Sequence, residues 1–313
     1  MYAYLIRRIL ATIPVMAVVA IFVFSLLHLT PGDPAAVIAG DYASPADIDR
    51  IRARLGLDQP IYIQFGKWVG HISQGDLGIS IFSDLPVSRL IKQRLEPTLA
   101  LAIATIIVSV LTAVPMGVIA AWKAGTWIDR VVMMFAVLGF SVPIFVFGYL
   151  LIWGFSLQLK WFPVQGYVSI TEGFLPFVRS IFLPTIALAV IYIALIARIT
   201  RASVLEVLTE DYIRTAHAKG LSSTAVLMGH ALKNAAVPIV TIIGIGVALL
   251  IGGVVVTESV FNIPGLGRLT VDAILRRDYP IIQGIVFVFA GIYVLINLLI
   301  DMTYTFLDPR IRY

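Results

Sequence analysis

Six runs of apolar residues, each near the length that crosses a bilayer, constrain this chain more than any other feature. A hydrocarbon core of about 30 Å takes roughly 20 residues of helix. Ile9–Leu29 meets that length, interrupted only by Pro14 and His28. Leu99–Ala121, Val131–Leu157, Ile181–Ala197, Ala235–Thr257 and Ile281–Leu307 follow. Charged residues make up only 13% of the 313, against about 25% in an ordinary soluble domain. Most of the surface therefore does not face water. Unpaired backbone groups are costly in lipid, so the runs are read as helices, and the expected fold is an all-α, polytopic membrane protein. Pro115, Pro143, Pro184 and Pro238 lie inside spans, where a bundle tolerates them as kinks.

Orientation follows from Lys and Arg in the short segments. Eleven of them (Arg7, Arg8, Lys123, Arg130, Arg198, Arg201, Arg214, Lys219, Lys233, Arg310 and Arg312) fall on one side, and five (Lys160, Arg179, Arg268, Arg276 and Arg277) on the other. The basic excess marks the cytoplasmic face, which places both termini there. Thr30–Thr98 carries seven more basic residues, but segments of that length cross largely regardless of charge. The net charge of +5 flanks apolar runs rather than forming one basic face, so no nucleic-acid partner is expected. The first span is expected to be an uncleaved anchor. The alternative is a signal peptide cut near Val37-Ile38-Ala39, although the run is long for an h-region.

The segment Thr30–Thr98 reads as a small external insert. Turn-formers recur at Pro31-Gly32-Asp33-Pro34, Leu55–Pro60 and Gly75-Asp76-Leu77-Gly78, and Ile48, Ile51 and Leu55 give Pro45–Leu55 helical spacing. Val87–Leu95 is expected as a separate helix at the outer interface, with Leu90, Ile91 and Leu95 facing apolar surroundings. Two divisions result: residues 1–98, the first span with the insert, and 99–313, a five-span core with a cytoplasmic loop at 198–234.

That loop contains Asp211-Tyr212-Ile213-Arg214-Thr215-Ala216-His217-Ala218-Lys219-Gly220. The pattern predicts a short helix: Thr209 as N-cap, Glu210 and Asp211 at the positive end of its dipole, Lys219 in the last turn and Gly220 just beyond it. Tyr212, Ala216 and Lys219 share a face, where the small Ala216 permits close approach of another surface. A helix projecting between two spans suits a partner's groove. A helix resting on the membrane, or a solvated linker, fits the spacing equally well.

The run Asp211–Leu221, continued by His230-Ala231-Leu232-Lys233-Asn234 and Pro238, resembles the coupling loop of ABC importer permeases. More narrowly it is similar to the dipeptide/oligopeptide/nickel branch, in which glutathione permeases also fall. Pro31-Gly32-Asp33-Pro34, Gly75-Asp76-Leu77-Gly78, Glu258-Ser259-Val260-Phe261-Asn262-Ile263-Pro264-Gly265-Leu266-Gly267 and the terminal Asp308-Pro309-Arg310-Ile311-Arg312-Tyr313 carry the same resemblance. The match covers nearly the whole chain, and the long insert after span one fits one of the two related permeases. There is one departure. Where the general loop motif begins Glu-Ala-Ala, this chain has Arg214-Thr215-Ala216, so no ion pair through that glutamate carries over.

The resemblance implies a type I importer-permease fold. It also implies a path shared with a second homologous permease, two cytoplasmic ATPases docked on the helix at Asp211–Gly220, an external substrate-binding protein, and contact with membrane lipid. No cofactor is expected on this chain, and ATP and Mg belong to the ATPases. The chain itself has no G-x-x-x-x-G-K-[ST] phosphate loop. By the same resemblance, Asn262–Gly267 faces the binding protein. As residues alone, that stretch is a stiff turn followed by flexible glycines, and it could simply reverse the chain. The substrate implied is a dipeptide or oligopeptide, with glutathione or a nickel complex as alternatives.

The remaining features have structural readings. Gly244, Gly246, Ala248, Gly252 and Gly253 make span five a close-packing helix, one face of which, including Thr241 and Ile245, is assigned to the path. Asn297 and Asp301 share a face near the cytoplasmic end of span six; an intramembrane acid is a candidate proton relay or ion site, but the favoured reading is a satisfied polar pair or interface residue, as for His28 at the outer end of span one. An ion-coupled transporter would want ionisable groups near the midplane of several spans, and the chain offers almost none. An intramembrane enzyme lacks its chemistry as well. There is no cysteine, no H-E-x-x-H and no G-x-S-x-G, so no catalytic or metal site is expected.

Overall fold

A computed structural model describes residues 2–29, 33–39, 43–54 and 56–307. Among these, regular structure is helical, apart from one isolated antiparallel bridge between Ile79 and Pro86. Helices α1 (Tyr2–Leu29), α2 (Pro34–Ala39), α3 (Pro45–Arg54) and α4 (Ile61–Ser73) lead into α5 (Val87–Trp122), α6 (Trp127–Ser141), α7 (Ile144–Leu151) and α8 (Phe174–Leu208). The short α9 (Asp211–Ala218), α10 (Ser223–Val226) and α11 (Leu232–Asn234) precede α12 (Ala236–Val260), α13 (Leu266–Arg276) and α14 (Tyr279–Leu307). Among the described residues five helices are long and apolar enough to cross a membrane, and a bent pair makes six if it is counted as one span. The terminal Asp308–Tyr313 and part of the Pro31–Pro34 turn lie outside the described residues.

The chain forms two compact units. One comprises Glu96–Gly267 with Ile296 onward, the other Tyr2–Leu95 with Arg268–Leu295. The first is organised around α8. Its apolar window is 72% buried, against 28% for that of α12, and Leu188, Ala189, Tyr192, Ile193 and Ala197 lie in one apolar cluster with Leu101, Leu250 and Val254. Lipid supplies no hydrophobic drive for helices to associate, so close packing must do it. Gly117 of α5 faces α8 so closely that a Cβ there would lie 2.6 Å from the Ala197 carbonyl, and one on Gly253 of α12 would lie 3.0 Å from Leu188. Gly244 meets Ile300 in the same way. Gly244, Gly246 and Gly253 of span five therefore pack, as expected, whereas Gly252 faces open space.

Span three differs from expectation. It is not one helix but α6 and α7, bent by 102°, with the second arm extended to Gln158 as a π-helical turn. Each arm is about 22 Å long at 1.5 Å per residue, too short to cross alone. Pro143 is the cause. It lacks an N–H and pushes the residue before it out of helical geometry, and Val142 is extended (φ −90°, ψ 124°).

The second unit is held by aromatic and polar contacts. Phe24 of α1 lies 5.3 Å from Phe65 and 5.8 Å from Trp68 of α4, and Trp68 meets Phe287 of α14 edge-on at 6.3 Å. His28 Nε2 pairs with Gln64 Oε1 at 3.2 Å, the satisfied pair expected of it. The Ser80 hydroxyl donates to Asp278 at 2.6 Å, and Asp33 binds Arg52 at 2.5 Å. Helix α3 is where the spacing predicts one. The expected separate helix at Val87–Leu95 is not: those residues are the first turns of α5, which runs unbroken to Trp122. Ile91 is buried there, and a Cβ on Gly284 would lie 2.7 Å from Val87.

The close approach at Gly117 yields a test. Gly117→Ala should lower the melting temperature of the purified protein, because overpacking costs about 1–3 kcal/mol. Gly252→Ala, with no atom within 4 Å of the new methyl, should leave it unchanged or slightly raised. Equal melting temperatures for the two variants would remove the packing argument.

Candidate functional site

The cytoplasmic helix forms as its residues predict, with one change at its start. Glu210 takes the N-cap position in extended geometry (φ −69°, ψ 146°), and Asp211 sits in the first turn. Thr209 is not the cap. It ends α8, donating its hydroxyl to Glu206 O at 2.7 Å. The preceding helix runs further than its apolar stretch, so the threonine is used up at its C-terminus. Lys219 closes α9, and Gly220 follows with φ +84°, the left-handed geometry that glycine adopts without strain.

The two faces of α9 have different fates. Ile213 (2% exposed) and Ala216 (6%) are buried in an apolar cluster with Val118 and Ala121 of α5, Val204 of α8, Val226, Leu227 and Ala231 downstream, and Ile239 of α12. Ala216 thus permits close approach of the chain's own helices and not of a foreign surface, which corrects the expectation. Asp211, Tyr212, Arg214, Thr215, His217, Ala218, Lys219 and Gly220 are exposed. Arg214, which stands where the general motif has glutamate, reaches Asp211 at 3.2 Å. Both side chains are solvated, so the pair adds little stability. Partial burial raises the Tyr212 hydroxyl above the ordinary tyrosine range, with the Glu210 carboxylate adding to it. The ring therefore stays neutral, a half-sheltered aromatic on an otherwise polar face.

The segment after α12 is a packed corner. Thr98 donates its hydroxyl to Glu258 Oε1 at 2.6 Å and accepts the Leu266 N–H at 2.8 Å. Ile263 N–H returns to Glu258 O at 2.9 Å, and Asn262 turns the chain with φ +53°. Ile263, Gly265, Leu266 and Gly267 are buried, Asn262 is half-buried, and Pro264 is exposed. The glycines are there for proximity. A Cβ on Gly265 would fall 2.0 Å from Glu258 Oε1, and one on Gly267 would fall 2.5 Å from Val255 Cα. Both are buried in a packed corner, where the sequence predicts flexible glycines. Beside this corner Gly166 N–H binds Phe261 O at 3.0 Å, and Tyr167 donates to Glu96 at 3.0 Å. Burial and that carboxylate hold the Tyr167 hydroxyl well above its usual range.

Of the two path residues, Ile245 is exposed. Thr241 is half-buried with its hydroxyl engaged, donating to Val237 O at 2.8 Å and accepting from Tyr304 at 2.9 Å. One constellation escaped the sequence reading. Asp129, at the start of α6, is bound by the Nε and Nη2 of Arg201 on α8, the latter at 2.7 Å. Its Oδ2 also accepts the Gly125 N–H at 2.9 Å. No spacing signal links residues so far apart, although both sit in segments assigned to the cytoplasm.

Residues 113–313 match the family described as binding-protein-dependent transport system inner membrane component, and residues 1–102 match its N-terminal region. A relative from Sinorhizobium fredii, named probable peptide ABC transporter permease, is 56% identical over the full length of both chains. A glutathione transport system permease of Escherichia coli is 44% identical, again over the full length of both. Among solved structures, the inward-facing MetNI methionine ABC transporter matches with a TM-score of 0.58 at 17% identity, covering 70% of this chain and 96% of that one. It shares the type I permease fold. The chain therefore belongs to the family of binding-protein-dependent transport system inner membrane components: it is a non-enzymatic, multi-pass permease subunit of an ATP-driven importer, with ATPase and substrate-binding-protein partners.

Proposed function

We propose that the chain pairs with a second, homologous permease to form a path for short peptides, glutathione included. In this proposal two ATPase subunits dock on the α9 helices of the pair, and ATP and Mg are held by those subunits, none by this chain. The observation that carries the proposal is the two-sided character of α9. Its apolar face is locked into the bundle by Ile213 and Ala216, while Tyr212, Arg214, His217 and Lys219 project outward. A helix anchored this way transmits displacement, provided its docked contacts differ between the resting and ATP-bound states. Peptides are the favoured cargo because the relative at 56% identity is named for them, and glutathione is a peptide too.

On the outer side, Pro264 and its neighbours are assigned to the binding protein, with the buried residues of the corner holding them in place. Thr241 and Ile245 remain assigned to the path, Ile245 as the exposed member.

The two faces of α9 separate two outcomes. Tyr212→Ala and Arg214→Glu should each reduce copurification of the ATPases and solute uptake, with the melting temperature unchanged. Ala216→Leu should instead lower the melting temperature, since overpacking costs about 1–3 kcal/mol. Undiminished copurification and uptake in both exposed-face variants would sink the docking role. For the outer corner, Pro264→Asp should weaken stimulation of ATP hydrolysis by the binding protein without destabilising the chain. Gly265→Ala should destabilise it, because the new methyl collides with Glu258. If Pro264→Asp is stimulated as strongly as the parent, this corner does not meet the binding protein.

A further inference from the structure

The Asp129–Arg201 pair is neither exposed nor part of either face assigned above. Asp129 is 4% exposed, and three donors converge on its carboxylate: Arg201 Nε and Nη2, and the Gly125 amide. A charge pair in such a place is no general stabiliser. Its desolvation cost can exceed its attraction, and apolar residues of similar volume often serve stability as well or better. What it does provide is a directional, two-point link between particular helices.

The links on either side of it are specific. Arg201 lies on α8 one turn before Val204, and Val204 belongs to the cluster that grips Ile213 and Ala216 of α9. Asp129 lies in the first turn of α6, the inner arm of the broken third span. Further along that arm, a Cβ on Gly139 would lie 3.0 Å from Val190 of α8, so α6 follows α8 at two levels. Only the cytoplasmic level is held by an ion pair. Beyond Ser141 the span turns through 102° at Pro143, so any movement of α6 is redirected there.

We propose that Asp129 and Arg201 are positioning residues that clamp the inner arm of the third span to α8. Displacement of the docking helix then moves α6, α8 and α9 as one block and is delivered to the bend at Val142–Pro143. This inference rests on the assignment of α9 to the ATPases.

The test uses the whole importer in liposomes, with its ATPases, second permease and binding protein. The chain has no native cysteine, so spin labels attached at Trp127→Cys on α6 and Glu206→Cys on α8, both at exposed positions, to the purified chain before it is assembled with its partners report on the clamp alone. In the parent, the label separation should be the same without nucleotide and with ATP trapped by vanadate. In Asp129→Asn, and in the volume-conserving Asp129→Leu/Arg201→Met, the separation should change between the two states. Stimulation of ATP hydrolysis by the binding protein as purified should fall about tenfold in both, within the usual range of coupling factors. The ATPases should still copurify. Arg201→Lys, which keeps the charge but not the fork, should recover part of the stimulation.

The apolar double variant guards against a folding defect in Asp129→Asn. A merely structural pair would change melting temperature without changing the label separation. Constant separation with full stimulation in both variants overturns the clamp, as does a parent separation that already shifts with nucleotide. Loss of the ATPases from Asp129→Asn also overturns it, since the pair would then shape the docking surface. Retention of ATPases and stimulation by Tyr212→Ala would instead defeat the docking assignment, whatever the labels show.

Discussion

Everything in the core unit depends on the burial of α8 among helices that can approach it closely. In a bilayer the outward faces of spans gain nothing by leaving lipid, so association rests on packing and on hydrogen bonds that lipid cannot offer. Gly117 and Gly139 bring α5 and α6 against α8 on one side, and Gly253 brings α12 against it on another. With α8 fixed, its cytoplasmic end presents Val204 for α9 to cover. Helices α1 and α14 follow the same rule in reverse. Leu10, Ile13, Val18 and Phe22 of α1, and Leu295 and Leu299 of α14, are apolar and exposed, which is a cost in water and none in lipid.

The spans were legible because lipid leaves helix as the one cheap backbone solution, and their order and number stand once span three is counted as a bent pair. What hydropathy does not report is continuity. The chain does not stop being helical where it leaves the hydrocarbon, so α5 continues outward to Val87 and α8 inward to Leu208. That inward extension is also what moved the N-cap of α9 from Thr209 to Glu210. Helix α4 was missed for a different reason. Phe65, Trp68, Val69 and Ile72 follow helical spacing, but the insert was read through its turns.

The glycines of the outer corner mark a sharper limit. A glycine is silent in sequence about whether its hydrogen serves freedom or proximity. Gly265 and Gly267 serve proximity, to Glu258 and Val255, and the partner across the corner, Thr98, lies far away in the chain. The same distance hid Asp129 and Arg201. Arg201 entered the count of basic residues that gave the orientation, and Asp129, an acid, entered no count at all. Pairing is a property of the packed bundle, and a single sequence offers no pattern from which to read it.

The candidate docking helix and the outer corner solve the same physical problem in opposite ways. Both are short segments that end a span and meet water. At the outer corner the polar groups are turned inward and satisfied by Thr98 and Glu258, so the surface left outside is small and stiff. At α9 the apolar residues are turned inward and the polar ones left exposed, so the surface left outside is broad and charged. A stiff, small surface suits a partner that arrives and departs, because little order is lost at each encounter. A broad surface on an anchored helix suits a partner that stays and pushes, because the anchor, in Ile213 and Ala216, lies in the same cluster as Val204 of α8. Rigidity on the first face and leverage on the second are both consequences of what each segment buries.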